Sequence, residues 1–150
     1  MKTKFTTLIM IAFIAVFSIS CSNDDNPTPP IIPVAIDGFT WSENGTATVL
    51  TVNDPHATAQ YNTIFAIRQG VTIYEINLTS LAVGTYPFDV NNSLFYNNNN
   101  NPTGNFIPTS GSVIITANAN NKLSGTFTAI GTGNNVTSIS GRFTNIAIQP

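Results

Sequence analysis

The chain's single cysteine, Cys21, stands in the stretch Phe17-Ser18-Ile19-Ser20-Cys21-Ser22-Asn23-Asp24-Asp25, just behind an uncharged apolar run over residues 8–17. A thiol in that setting has a definite chemistry open to it. Its sulfur can be alkylated by a diacylglyceryl donor, and cleavage before Cys21 would then expose an amine for a further acyl chain. An ordinary secretory cleavage needs small residues such as Ser20 but has no use for the sulfur. Two or more acyl chains, at about 0.8 kcal/mol per buried CH₂, hold a protein stably on a bilayer. One thiol also means no intrachain disulfide and no cysteine-based zinc site.

The remaining reactive side chains form no local signature. His56, in Asp54-Pro55-His56, is the only histidine. It is expected on an exposed turn, without the nucleophile and acid that a hydrolase triad needs. After Cys21 and its acidic neighbours, the carboxylates are Asp37, Glu43, Asp54, Glu75 and Asp89. Glycoside hydrolysis needs two of them held roughly 5–10 Å apart, and no spacing in the chain pairs any. Asp89-Val90-Asn91-Asn92 and the Asn run at 97–101 offer oxygens, but not in the order of a calcium loop. A polar loop is the expectation, with no metal, no cofactor and no enzymatic activity. The best positive reading is glycan binding, with Trp41 and Tyr96 as the candidate contacts and Asn and Thr as uncharged hydrogen-bonding partners. Most of the aromatic side chains, among them Tyr61, Tyr74 and Tyr86, are expected in the core instead. Two further readings stand beside it: a structural or partner-binding envelope protein, and a small-ligand barrel recognisable by a sizeable apolar cavity.

Three segments position these groups. Residues 1–20 read as a signal peptide: Lys2 and Lys4 make a positive start, and an apolar run of about ten residues is too short for the roughly 20 of a membrane-spanning helix. Residues 21–33 carry the lipidated N-terminus and a tether. Four prolines in the eight positions from Asn26 to Pro33 exclude helix and paired strand and favour an extended stalk. Ser20-Cys21 resembles the lipobox of bacterial lipoproteins, with Ser18 where Leu is commoner. Ser22-Asn23-Asp24-Asp25 resembles the acidic export signal of Bacteroidota lipoproteins displayed on the outer face of the outer membrane. These resemblances imply a membrane partner through the acyl chains, the lipoprotein processing and export machinery, and an outward-facing outer-membrane location.

Residues 34–150 read as one all-β domain. Short β-prone runs alternate with Gly, Asn and Pro clusters, and no amphipathic helix is visible. The clearest hairpin pairs the run from Tyr61 to Arg68 with the run from Thr72 to Leu78, across Gln69-Gly70. Pro87 is confined to an edge or strand end. Leu123, Gly125, Phe127 and Ala129 share an inward phase, and Gly125 and Gly141 mark bends or close backbone approach. The expected architecture is an antiparallel meander of about eight to nine strands, closed into a sandwich or a partly closed barrel to protect its edges. The blocks Asp37-Gly38-x-x-Trp41, Gly84-Thr85-Tyr86, Asn121-Lys122-x-x-Gly125-Thr126-Phe127 and Gly141-x-Phe143-x-Asn145-Ile146 resemble a family of small, uncharacterised Bacteroidota lipoproteins. That family brings no catalytic residues with it.

Charge narrows the partners. The chain is 8% charged with net charge −2, and removal of residues 1–20 leaves Arg68, Lys122 and Arg142 against seven acids. Three dispersed cations do not make the basic footprint that nucleic acid requires. The thiol chemistry has a direct check. Cys21→Ser is expected to abolish incorporation of labelled fatty acid and move the protein out of the membrane fraction; unchanged partitioning rules the anchor out.

Overall fold

The computed structural model describes residues 36–97, 105–133 and 135–150. The signal segment, Cys21, the Ser22 to Asp25 stretch, the proline tether and the Asn run beyond Asn97 lie outside the described residues. The described chain is all β: β1 (Gly38–Glu43), β2 (Leu50–Thr51), β3 (Asp54–Thr58), β4 (Thr63–Arg68), β5 (Val71–Asn77), β6 (Gly84–Pro87), β7 (Ser93–Tyr96), β8 (Ile107–Ala119), β9 (Lys122–Thr132) and β10 (Ser138–Gln149).

Turn chemistry accounts for two hairpins. Gln69 and Gly70 close β4–β5 with φ of 52° and 78°, and Asn120 and Asn121 close β8–β9 with φ of 54° and 56°. Two successive left-handed residues make the mirror-image turn whose twist matches the strands it joins. Glycine enters that region freely and asparagine at low cost. The turns set the registers, placing Arg68 opposite Val71 and Ala119 opposite Lys122. A slip between Ala66 and Ile67 leaves Ile73 as an extra residue in β5. Ile73 and Tyr74 are therefore both buried, against strict alternation.

One sheet runs in the order β6-β8-β9-β10-β3-β4-β5-β7, with β1 added to β10 and β2 to β1. Its spine is β10, which pairs with β9 on one edge and divides the other between two partners. β1 lies antiparallel from Gly38 opposite Thr144 to Glu43 opposite Ile139. β3 then takes over in parallel, with His56, Ala57 and Thr58 opposite Ala147, Ile148 and Gln149. A bulge between Phe143 and Ile146 marks the change, and Asn145 within it has φ of 50°. The Asn145 N–H donates to Ser124 Oγ at 2.9 Å, and its side-chain amide donates to Asp37 Oδ1 at 2.8 Å. The kinked backbone is thus hydrogen-bonded on both sides. At the far end Tyr96 bridges Phe106, whose N–H donates to the Tyr96 carbonyl at 3.2 Å. That bridge returns β7 to the head of β8 and curls the sheet into a partly closed barrel.

The all-β, partly closed architecture is as expected, and Pro87 ends the edge strand β6. Two details differ from a meander of eight or nine strands: the described residues form ten, and the β10–β3 pair is parallel. Alternation reports which face a side chain takes but not which way its neighbour runs. β2, with two residues, is too short to show a period. β3 is hidden behind Asp54-Pro55, which reads as a breaker. Pro55 is accommodated because the pairing with β10 begins only at His56, so its missing N–H breaks no bond on that edge.

Packing turns on β9 and β10. Leu123, Phe127 and Ala129 are buried as the alternation requires. Gly125 faces Phe143 across the two strands, and Gly141 faces Phe127. A methyl on Gly125 would stand 2.3 Å from the Ile114 carbonyl oxygen and 2.5 Å from Phe143 Cζ, and one on Gly141 would stand 2.4 Å from Phe127 Cζ. Each ring therefore lies over the glycine of the neighbouring strand and fills the volume a side chain would take. Gly125→Ala and Gly141→Ala are each expected to lower unfolding free energy by about 1–3 kcal/mol, the usual cost of overpacking. Gly84→Ala, whose nearest neighbour would be 3.7 Å away, is the control, expected within about 0.5 kcal/mol of the parent. Equal urea midpoints for all three variants would show that the rings do not depend on those glycines.

Candidate functional site

Trp41 and Tyr96 are far apart in the chain and close together in the fold. Phe39, Trp41 and Glu43 share the inward phase of β1, because strand side chains alternate. The register of β1 with β10 puts Trp41 beside Gly141, the glycine that the Phe127 ring covers. Tyr96 ends β7 opposite Tyr74 on β5. The two phenol rings stack at 4.5 Å and 18°, and Trp41 meets them edge-on at 5.1 Å from Tyr74 and 6.2 Å from Tyr96. Phe39 and Phe127 complete the cluster, each within 5.5 Å of Tyr74.

With Trp41 2% and Tyr96 1% exposed, neither ring offers an open face for stacking. Their polar edges meet at Glu43 instead. Trp41 Nε1 donates to Glu43 Oε1 at 3.1 Å, and the Tyr96 hydroxyl donates to the same oxygen. The Arg68 guanidinium carbon lies 5.2 Å from the Trp41 ring centroid, within cation–π range, and Nη2 donates to the Thr51 carbonyl at 3.0 Å. These groups, with Leu50, Ile73 and Asn97, line a pocket of about 250 Å³. It contains a carboxylate acceptor, a guanidinium donor, an amide and an apolar wall. Among the described residues, the side-chain donors to Glu43 converge on one oxygen, Oε1.

Burial sets the protonation of the two stacked phenols. Tyr96 is pushed above the ordinary tyrosine range first by desolvation, then by its hydrogen bond to Glu43 and that group's charge. Tyr74 is raised for the same leading reason, with Tyr96 and Glu43 adding to it. Tyr96 therefore stays a proton donor to the carboxylate. The Tyr74 hydroxyl is buried without a hydrogen-bond partner among the described residues.

The other residues singled out in the sequence lie elsewhere. His56 is on strand β3 and not on an exposed turn; its side chain is 13% exposed, and Nδ1 is 3.4 Å from Asp54 Oδ1. Its ring lies 5.4 Å from that of Phe65, on the outer face of the sheet. Glu75 is on that outer face too, accepting from Asn77 Nδ2 at 3.1 Å. Asp37 accepts from Asn145, as described. Asp89 Oδ1 accepts from the N–H groups of Asn91 and Asn92 at 2.7 and 2.9 Å, so the oxygens first weighed for calcium brace a turn. No cluster of three or more His, Cys, Asp or Glu among the described residues is placed to hold a metal. Tyr86 is anchored by donation to the Ala82 carbonyl at 2.7 Å. Tyr61 is 67% exposed and departs from the expected core position, since the turn before β4 releases it. Sequence reasoning weighed Glu43 only as a carboxylate without a pair and Arg68 only as a dispersed cation, and joined neither to Trp41 and Tyr96. The spacing Trp41-x-Glu43, which puts both on one face of a strand, was the available signal for Glu43; nothing local marks Arg68.

The two phenols make opposite predictions. Tyr74→Phe removes a hydroxyl that has no partner and is expected to leave stability unchanged or raise it. Tyr96→Phe strips a donor from Glu43 and is expected to cost about 1–3 kcal/mol in urea unfolding. Because both folded-state pKa values are raised, their contribution is complete below about pH 10, the unfolded value, and is lost as pH climbs toward the folded values. The urea midpoint should fall above that pH, less steeply in Tyr96→Phe. Equal costs for the two variants at neutral pH would remove Glu43 as the organising acceptor.

A family model described as Domain of unknown function (DUF6252) matches residues 29–147. No curated protein and no solved structure matches the chain.

Proposed function

The chain belongs to the DUF6252 family, whose domain has no assigned function, and from that premise we propose a lipid-anchored, outward-facing outer-membrane protein whose β-domain binds saccharide without turning it over. The observation that carries the binding half is the convergence of Trp41 and Tyr96 on one oxygen of Glu43. A buried indole N–H and a phenol hold the carboxylate in place before any ligand arrives, so little ordering is left for binding to supply. Glu43 Oε2 accepts from sugar hydroxyls, Arg68 and Asn97 donate, and the partly buried Leu50 receives the apolar face of the ring. A space of about 250 Å³ suits one sugar unit rather than a chain.

Two considerations favour binding over hydrolysis. Glycosidases work with two carboxyl groups roughly 5–10 Å apart across the scissile bond. Glu43 is the one carboxylate among the residues lining this pocket, and Glu75 is on the other face of the sheet. The barrel interior beside the pocket is filled by Phe39, Trp41, Tyr74, Tyr96 and Phe127, which favours a surface pocket over a small-ligand cavity. The anchoring half of the proposal rests on Cys21 and its apolar leader, and the outward address on Ser22, Asn23, Asp24 and Asp25. The implied partners are the membrane, the export machinery and an extracellular glycan.

Glu43→Gln keeps the shape of the side chain and removes the carboxylate. Screened on a saccharide array and then by titration calorimetry, it is expected to bind the best neutral sugar at least about tenfold more weakly than the parent. Unchanged affinity, or an array on which the parent binds nothing, overturns the reading.

A further inference from the structure

The face of the sheet turned away from the core carries a second arrangement, built from different side chains. Thr40 on β1 is opposite Arg142 on β10 and Thr51 on β2, and Arg142 is opposite Thr126 on β9. One row across four strands therefore reads Thr126, Arg142, Thr40, Thr51. The next row reads Thr128, Ser140, Ser42, because Ser140 is opposite both Thr128 and Ser42. These seven residues line one shallow groove of about 770 Å³, walled by Ile36 and Val49, which are 73% and 63% exposed. Arg142 is exposed near its middle. Among the described residues, no carboxylate forms an ion pair with Arg142. Glu43 is in the opposite phase of β1, with Trp41 and Phe39.

The geometry points to a second binding site, for an anionic polysaccharide: a polyhydroxylated chain bearing carboxylate or sulfate groups. Three features carry this. A hydroxyl both donates and accepts, so rows of Ser and Thr match a polyol in either sense. Neighbouring strands stand about 4.8 Å apart, comparable with the span of one sugar ring, so a chain laid across the strands meets a new hydroxyl at each step. One uncompensated guanidinium among neutral groups selects an oxyanion, which it can hold bidentately. A second copy of the chain fits poorly, since a two-fold contact here would bring Arg142 toward its own mate. The groove and the Glu43 pocket share Trp41 and are joined by the Arg68 bond to the Thr51 carbonyl, but Arg142 and Glu43 lie on opposite phases of the sheet and neither lines the other's site. The two sites are therefore separable by mutation.

The intact protein would be titrated with oligogalacturonate, sulfated dextran, neutral dextran and polyglutamate of matched length. The expected result is binding of one or both anionic saccharides, weakened by salt and roughly tenfold weaker in Arg142→Gln. Glu43→Gln is expected to leave that binding unchanged. The preference between the first two probes identifies the oxyanion as carboxylate or sulfate. Equal binding of neutral dextran removes the role of Arg142, and equal binding of polyglutamate removes that of the hydroxyl rows. Either result overturns the proposal, as do full affinity in Arg142→Gln and a parent that binds neither anionic saccharide. Loss in Glu43→Gln with retention in Arg142→Gln would assign the binding to the pocket instead.

Discussion

The arrangement rests on two phenylalanine rings lying across two glycines. Phe127 covers Gly141 and Phe143 covers Gly125, one ring from each of β9 and β10. Because neither glycine has a side chain, the rings lie down against the sheet and leave room above for a second layer. Phe39 and Tyr74 occupy that layer within 5.5 Å of Phe127. Contacts of this kind contribute about 0.5–1.5 kcal/mol each beyond the area they bury. Trp41 is paired with the same Gly141, from the β1 side of β10.

The second constraint is the kink in β10. A straight strand offers a single edge to a single partner. The bulge at Asn145 turns the strand so that β1 occupies the first half of the edge and β3 the last three residues. The sheet can then curl back over itself, and β5 and β7 come to lie across from β1. Stacking of Tyr74 on Tyr96 and their edge-on contacts with Trp41 follow from that curl. Glu43, two residues beyond Trp41, is carried to the rim, where the aromatic core gives way to a polar pocket. The same strand alternation sends Thr40, Ser42, Ser140 and Arg142 to the outside, so one pairing of β1 with β10 builds the pocket on one face and the groove on the other.

Local chemistry was legible where a residue's own conformational preference decides the outcome. Gln69-Gly70 and the Asn120-Asn121 pair announce their turns because few residues enter the left-handed region at low cost. Leu123, Phe127 and Ala129 announce their face through alternation. Gly125 and Gly141 announced close approach, although the rings that approach them are named only by the register. His56 was misplaced because Asp54-Pro55 carries turn chemistry whatever pairing surrounds it. Tyr61 was misplaced because phase has no meaning once the strand has ended.

What the sequence determined by itself is therefore short-range: the turns, the inward phase of β5 and β9, and the all-β class. Tertiary structure decided what depends on distance along the chain: the parallel β10–β3 pair, the bulge that changes the partner of β10, and the meeting of Trp41 with Tyr96 at Glu43. The physical reason is that turn and strand preferences act over a few residues. Which strands become neighbours is settled by burying all the inward faces at once, and no local pattern records that outcome.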